Sequence, residues 1–427
     1  MTESEAGKLF MIASIITLGC RLNQAESALI TSRLERMGYS VVPYDRDAHP
    51  DLIVLNSCAV TATAERKARQ NIRTLRSRHP EAKLLFTGCA CTPGLQEIPG
   101  LTVVPNARKS DLEEFLKEEK SLAVEEWRND SSEHLVFSEN ILTAPTERTR
   151  ANLKIQEGCN NFCAYCIIPY KRGRERSRDL EETVRDFKNL VNLGFQEIVL
   201  TGINTCTYNC RGARLNDLLE RLLETDGNYR IRIGSTEPGP MLEKIVDVMA
   251  KADGKLCEFL HPSLQNGSDT VLKLMNRHCL TEEYAGYVQY AREKVPHIHI
   301  GTDIITGFPG ETDATFEETL AFVEKIRFAN IHIFPFSPRK GTAAYSMKPV
   351  VPSALARERA EKLNVLKEKS AAEFRHSLLG TVQTVIPEQD GIGVTGNYIR
   401  VKADGTGLLR VKITNTDQEI AIGKTIC

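Results

Sequence analysis

Three stretches near the start of the chain, IASIITLGC (12–20), LIVLNSC (52–58) and KLLFTGC (83–89), are short apolar runs that each end on a cysteine. Runs of this length, bounded by small residues, predict buried strands. NQAESALITSRLERMG (23–38) follows the first with helical periodicity and Gly38 as its stop, and a second helical segment follows LIVLNSC. Strand alternating with helix predicts a parallel sheet, whose strand C-termini share one edge, so Cys20, Cys58 and Cys89 are expected to converge there. A lone cysteine after a strand is usually a small buried residue. Three at the same structural position predict a common ligand, with Cys91 of the CAC triplet a competing donor to Cys89.

Farther along, EIVL (197–200), IRIG (231–234) and HIHIGTDII (297–305) read as strands, and DLEETVRDFKNLVNLG (179–194) and TFEETLAFVEKI (315–326) as helices. That alternation predicts a (β/α) arrangement with functional groups at strand C-termini. ALARERAEKLNVLKEKSAAEF (354–374) reads as one long helix, and the remaining tail as short strands with glycine-rich turns, as in a small β-barrel. The tail contains GIGVTG (391–396), a G-x-G-x-x-G match, but strands follow it and no helix N-terminus is available for a pyrophosphate.

Composition narrows the setting. A chain of 427 residues predicts two to four domains with ample core. Its formal charge of −1 excludes a global basic field, so any nucleic-acid contact must come from local patches. Twelve cysteines in so long a chain fit a reducing cytoplasm better than a secreted disulfide framework. LFMIASIITLGC (9–20) is preceded by Glu3 and Glu5 against Lys8 and is too short to span a bilayer, which argues for a strand rather than a leader.

The sharpest chemistry lies in GCNNFCAYC (158–166), where Cys159, Cys163 and Cys166 stand at C-x3-C-x2-C with no fourth donor nearby. A structural zinc ion takes four ligands, so the pattern argues against zinc. Three thiolates on a four-iron cluster leave one iron open, which makes the cluster a reaction site. Two other donor pairs carry less. HIHI puts His297 and His299 on one strand face, where a metal could be chelated, but two histidines without a third ligand read as satisfied core or surface residues. Cys206 and Cys210 read as free thiols.

Basic residues cluster twice. RKARQNIRTLRSRHP (66–80) has six Lys/Arg and no acid, and helical spacing sets Arg66, Arg69, Arg73 and Arg76 along one stripe suited to phosphates. YKRGRERSR (170–178), including Arg174 and Arg176, adds five more bases beside the cysteine motif.

TLGCRLNQAES, NSCAVTATAERKARQ and QEGCNNFCAYCIIPYKRGRERSR together resemble the radical S-adenosylmethionine (SAM) methylthiotransferases, most closely the branch acting on threonylcarbamoyladenosine in tRNA. The resemblance continues through EIVLTGIN, IRIGSTEP, LQNGSD, TDIITGFPGET and FPFSPRKGT. It departs at GCACTPG, where the family more often has Gly-Cys-aromatic-Ala-Gln, and at HPSLQNGSD, in place of His-Leu-Pro-Leu-Gln-Ser-Gly-Ser-Asp. The resemblance implies an α/β domain over 1–140 with an auxiliary cluster, a radical SAM core with a partial (β/α) barrel over 145–350, a connecting helix over 351–375, and a TRAM-like β-barrel over 376–427. The polar stretches RNDSSEH (128–134) and TAPTERTR (143–150) contain the first boundary.

It further implies two 4Fe-4S clusters, one on Cys20, Cys58 and Cys89 and one on Cys159, Cys163 and Cys166, with SAM on the open iron of the second and Tyr165 against its adenine. Gly202, Glu237 and Gln265 are the implied SAM contacts. One SAM supplies a methyl group to sulfur and a second yields the radical that takes hydrogen from C2 of an adenine, a C–H bond without useful acidity. The implied partners are the tRNA anticodon stem-loop and an external electron donor, and the implied state is a cytoplasmic monomer away from membranes. Alternatives are a methylthiotransferase for isopentenyladenosine tRNA or a ribosomal protein side chain, and a non-catalytic iron–sulfur RNA-binding redox sensor. The TRAM-like tail itself is near neutral, with five Lys/Arg and five Asp/Glu over 376–427.

Overall fold

A computed structural model describes residues 11–47, 49–92, 95, 98–118, 136, 137, 139 and 149–426. Nearly all of the polar boundary stretch lies outside the described residues. The chain divides into two compact units, one of residues 1–134, 139–144 and 167–174, the other of 135–138, 145–166 and 175–427.

In the first unit, β1 (Met11–Thr17), β2 (Tyr39–Val42), β3 (Leu52–Ser57), β4 (Lys83–Gly88) and β5 (Leu101–Val104) form a parallel sheet in the order β2-β1-β3-β4-β5. The apolar runs are continuous because both sheet faces are covered. Ile53, Leu55, Leu84 and Phe86 pack with Ile72 and Leu75 of helix α2 (Ala62–Arg78). Leu52, Val54 and Leu85, on the opposite face, pack with Ile30 and Leu34 of helix α1 (Arg21–Arg36). Thr61 starts α2 by accepting a hydrogen bond from the Ala64 amide at 3.1 Å.

In the second unit, the parallel strand Glu197–Thr201 lies between Arg150–Lys154 and Arg230–Ile233, and His299–Thr306 lies between Phe259–Leu260 and Asn330–Pro335. Bridges Ile231–Leu256 and Thr236–Pro262 join the two triplets, giving an open barrel of parallel strands. Helices such as Leu180–Asn192, capped by Asp179 on the Glu181 and Glu182 amides, separate the strands in sequence. A 25-residue helix, Ser353–Ser377, leads to a closed barrel of five short strands over 382–425. Within GIGVTG, Gly393 sits in strand Ile392–Thr395, where a Cβ would lie 2.4 Å from the Ile386 carbonyl oxygen. Its glycine serves strand packing.

The tail barrel is fastened to the open barrel through its main chain. Arg230 donates to the carbonyls of Thr384 (2.8 Å) and Val394 (2.6 Å), and Arg232 to those of Gly396 and Thr395 (both 2.9 Å). Both guanidiniums also close on buried Glu197, at 2.5 and 2.9 Å. His297 occupies a turn with φ of 60°, and the strand begins only at His299, so the expected pair on one strand face does not form. His299 is instead buried among Phe259, Phe374 and Tyr398.

Candidate active site

Two thiol sites are built by strand ends and the loops after them. In the first unit, Cys20 follows β1, Cys58 follows β3 and Cys89 follows β4. Gly19, with φ of 115°, lies so near Cys58 that a Cβ there would stand 3.2 Å from its Sγ. Gly88, with φ of 100°, brings its backbone against Ser57, and the Cys89 amide donates to the Ser57 carbonyl at 2.9 Å. The three thiols are thereby gathered at one sheet edge. Cys91 faces elsewhere: its Sγ contacts the carbonyls of Val104 (3.5 Å) and Phe86 (3.7 Å) in the apolar core, and burial pushes its thiol up to about 12.

Charge at this edge is organised by side chains that local patterns did not disclose. Arg172, fully buried, donates from Nε to Cys89 Sγ at 3.0 Å and pairs with Glu26 at 2.7 Å. Its other nitrogen reaches Asn23 Oδ1 at 3.2 Å, and Asn23 donates to the Ser57 carbonyl at 2.8 Å. Lys109 also pairs with Glu26 and donates to Asn56 Oδ1 at 3.2 Å. Asn23 and Glu26 sit three and six positions after Cys20, on the face of α1 that meets β3.

In the second unit, Cys159, Cys163 and Cys166 lie on the loop after strand Gln156–Glu157. A second loop clasps it: the Ala164 amide donates to the Met275 carbonyl at 2.8 Å, and Asn276 Nδ2 donates to the carbonyls of Asn161 (3.2 Å) and Phe162 (3.3 Å). Phe162 takes φ of 46°, a costly conformation for an aromatic residue and one suited to a tight ligand loop. Arg277 then donates to Cys163 Sγ at 3.6 Å while pairing with Glu237 and with the Ser263 carbonyl. Tyr165 packs among Val271, Met275 and Phe308.

The other expected SAM contacts line the neighbouring strand ends. Gly202 is a point of close approach, since a Cβ there would stand 2.9 Å from Cβ of Gln156. Gln156, which the sequence patterns passed over, accepts from the Ile203 and Asn204 amides at 2.9 Å and donates to the Gly158 carbonyl at 2.9 Å, tying the 202–204 turn to the cysteine loop. Burial raises the Glu237 carboxyl above its usual range, against the pull of Arg277. Gln265 has φ of 81° and bridges the His299–Thr306 strand through the Asp303 carbonyl and the Ile305 amide, both at 2.8 Å.

The donor chemistry fits iron. Burial raises the Cys58 thiol and pushes Cys159 up to about 11, so these sulfurs keep their protons unless a cation compensates. Metal ligation supplies that compensation, and Arg172 and Arg277 add a positive charge beside each thiol set.

The basic patches are smaller than their spacing suggests. Arg66, Arg69 and Arg73 are exposed on α2, with Arg69 paired to Glu65 at 2.9 Å. Arg76 turns back onto the carbonyls of Pro80, Ala82 and Gly100, so its guanidinium anchors the end of α2. In the second patch Arg172 and Arg178 are buried and Arg176 pairs with Glu157 at 3.3 Å, whereas Arg174 is exposed.

The open parallel barrel with a three-thiol loop defines a radical SAM enzyme. Residues 153–323 match the family model for the radical SAM superfamily, and residues 13–102 match that of uncharacterized protein family UPF0004. The radical SAM methyltransferase TsrM from Kitasatospora setae shares the fold, with a TM-score of 0.56 and 15% identity over 76% of this chain and 73% of that one. The chain is 35% identical to threonylcarbamoyladenosine tRNA methylthiotransferase MtaB of Bacillus subtilis (91% of this chain, 90% of the relative) and 37% identical to that of Thermotoga maritima (88% and 86%). It is also 34% identical to the tRNA-2-methylthio-N(6)-dimethylallyladenosine synthase of Carboxydothermus hydrogenoformans (88% and 87%). The chain belongs to the radical SAM methylthiotransferase family. Its cofactors are accordingly SAM and iron–sulfur clusters, and the thiol sets are the groups that fit iron.

Proposed function

We propose that this enzyme adds a methylthio group to C2 of N6-threonylcarbamoyladenosine beside the anticodon of tRNA. The observation that carries the reading is the 35% identity, over nine-tenths of both chains, to a relative named for that substrate. Two thiol sets at strand ends support the presence of two 4Fe-4S clusters, held by Cys20, Cys58 and Cys89 and by Cys159, Cys163 and Cys166. When bound, the second cluster and SAM supply the radical needed at an unactivated C–H bond.

The protein's own part is to position and to shield. Arg277 bridges Cys163 and Glu237, fixing the charge beside the cysteine loop. Gln156 and Gly202 hold the 202–204 turn close to that loop, and the Gln265 main chain is fixed against Asp303 and Ile305 of the His299–Thr306 strand. Arg66, Arg69, Arg73 and Arg174 are the exposed cations suited to tRNA phosphates. Among the described residues no helix is long and apolar enough to cross a membrane. A cytoplasmic monomer served by an external electron donor is part of this reading.

Turnover decides the substrate. Reconstituted enzyme is given tRNA bearing threonylcarbamoyladenosine, tRNA bearing isopentenyladenosine, or unmodified tRNA, and the nucleosides are resolved by mass spectrometry. The proposal expects a methylthio product chiefly from the first. Preference for isopentenyl-modified tRNA, or for a ribosomal protein, assigns the enzyme to another branch.

A further inference from the structure

Among the described residues, one group of three metal-ligating side chains has its donor atoms within 4.8 Å of one another, and it contains no cysteine: His261, Asp303 and His332. Asp303 Oδ1 lies 3.1 Å from His261 Nε2 and 3.1 Å from His332 Nδ1, so two ring nitrogens and one carboxylate oxygen face a common point. The fold places them deliberately. Asp303 and His332 are register partners on adjacent parallel strands, which puts their side chains on one face. His261 follows the next strand, and its ring occupies the space that a side chain on Gly301 would fill, with a Cβ there only 2.7 Å from Nδ1.

The surroundings orient the donors as the outer shell of a metal site does. Ser263 Oγ donates to Asp303 Oδ2 at 2.7 Å, which fixes the carboxylate and leaves Oδ1 turned to the imidazoles. The His261 ring stacks on Phe259 and lies 4.9 Å, centroid to centroid, from that of His332. The site is open on one side, with the His332 side chain 52% exposed against 9% for His261.

We propose that His261, Asp303 and His332 bind a divalent transition metal ion of the zinc or ferrous class, with no cysteine among its ligands. Two imidazoles select such ions over magnesium or calcium, which prefer all-oxygen ligands. Three protein ligands leave a coordination position open toward solvent, the arrangement that accepts water or an oxygen atom of a substrate. The inference rests on the geometry of these three residues and holds whichever RNA or protein the enzyme modifies.

Zinc is the probe. Enzyme with its iron–sulfur clusters reconstituted, so that the cluster thiols are occupied, is freed of loose iron by chelation and gel filtration. It is then equilibrated with Zn2+ and desalted, and zinc is counted by mass spectrometry and its ligands read from K-edge absorption. The expected result is about one zinc per chain with nitrogen and oxygen ligands at about 2.0–2.2 Å. Asp303→Asn, which preserves shape, should weaken retention at least tenfold, and Ser263→Ala by about 10–100-fold through loss of carboxylate orientation. Circular dichroism establishes that each variant is folded, and Ser263→Ala carries the test if Asp303→Asn is not. Absence of retained zinc in the unaltered enzyme, equal retention in the folded variants, or sulfur-ligated zinc overturns the proposal.

Discussion

Arg172 Nε lies 3.0 Å from Cys89 Sγ, and the same guanidinium closes on Glu26 at 2.7 Å. A residue that belongs by sequence to a basic run is therefore the buried counter-charge of a thiol site. Replacing it with methionine keeps volume but removes the guanidinium that pairs with Glu26, while the Lys109 pair stays in place. Breaking a buried pair of this kind costs about 3–5 kcal/mol. Arg172→Met is expected to lower the denaturation midpoint and to lose iron from the site of Cys20, Cys58 and Cys89 first. An unchanged midpoint and full iron content would show that the pair has no structural role.

Iron counting separates the two thiol sets and the two candidates in CAC. Four irons per cluster predict about eight per reconstituted chain, falling to about four in the triple alanine variant of Cys159, Cys163 and Cys166. That variant should also lose SAM cleavage. The triple variant of Cys20, Cys58 and Cys89 should keep cleavage but form no methylthio product. Cys91→Ala should leave iron content unchanged because its thiol faces Val104 and Phe86. Loss of iron in Cys91→Ala, with none in Cys89→Ala, would reverse that choice of ligand.

Acid should loosen the junction of the two barrels. Burial works against the charge of Glu197, yet Arg232 and Arg230 outweigh it and hold the carboxyl at about 2 in the folded protein, against an ordinary 4.5. A lowered folded value adds stability above about pH 4.5 that is lost as the pH falls toward 2, on the order of a few kcal/mol. Buried His299, lowered to about 3 by burial, acts in the same direction from about pH 6.5 downward. In urea unfolding, Glu197→Gln should be less stable than the unaltered protein at pH 7, and the difference should shrink between pH 5 and 3. A difference constant with pH would mean that Glu197 gains nothing from its charge.

Salt dependence of tRNA binding tests the exposed arginines. Each phosphate contact removed lowers the slope of log K against log salt by roughly one. Alanine at Arg66, Arg69 or Arg73 should do this while sparing SAM cleavage without tRNA. Arg76→Ala should leave the slope alone and lower thermal stability, because its partners are backbone carbonyls. A slope change at Arg76 equal to that at Arg73 would return it to the binding stripe.

These contrasts mark what the sequence disclosed. The placement of Cys20, Cys58 and Cys89 at one sheet edge was legible because strand and helix periods set residues there without knowledge of the rest of the fold. Arg172, Arg277 and Gln156 were not, because their partners are distant in sequence: 146 residues separate Arg172 from Glu26, and 114 separate Arg277 from Cys163. No local period encodes such pairs, and a buried arginine looks like an exposed one on paper. The edge strands Tyr39–Val42 and Leu101–Val104 were missed for a related reason. Each is only four residues long, too short for alternation to stand out. The His261, Asp303 and His332 group draws one residue from each of three strand regions and was equally hidden.

Arg230 and Arg232 take hold of the tail barrel by carbonyl oxygens, which every amino acid possesses. Such a grip is indifferent to side-chain identity. The outward face of that barrel can therefore change residue by residue while the carbonyl contacts that position it stay the same. The charged half of the joint is kept in Glu197, Arg230 and Arg232 of the open barrel, and Tyr398 of the tail adds ring contacts to Phe259 and His299.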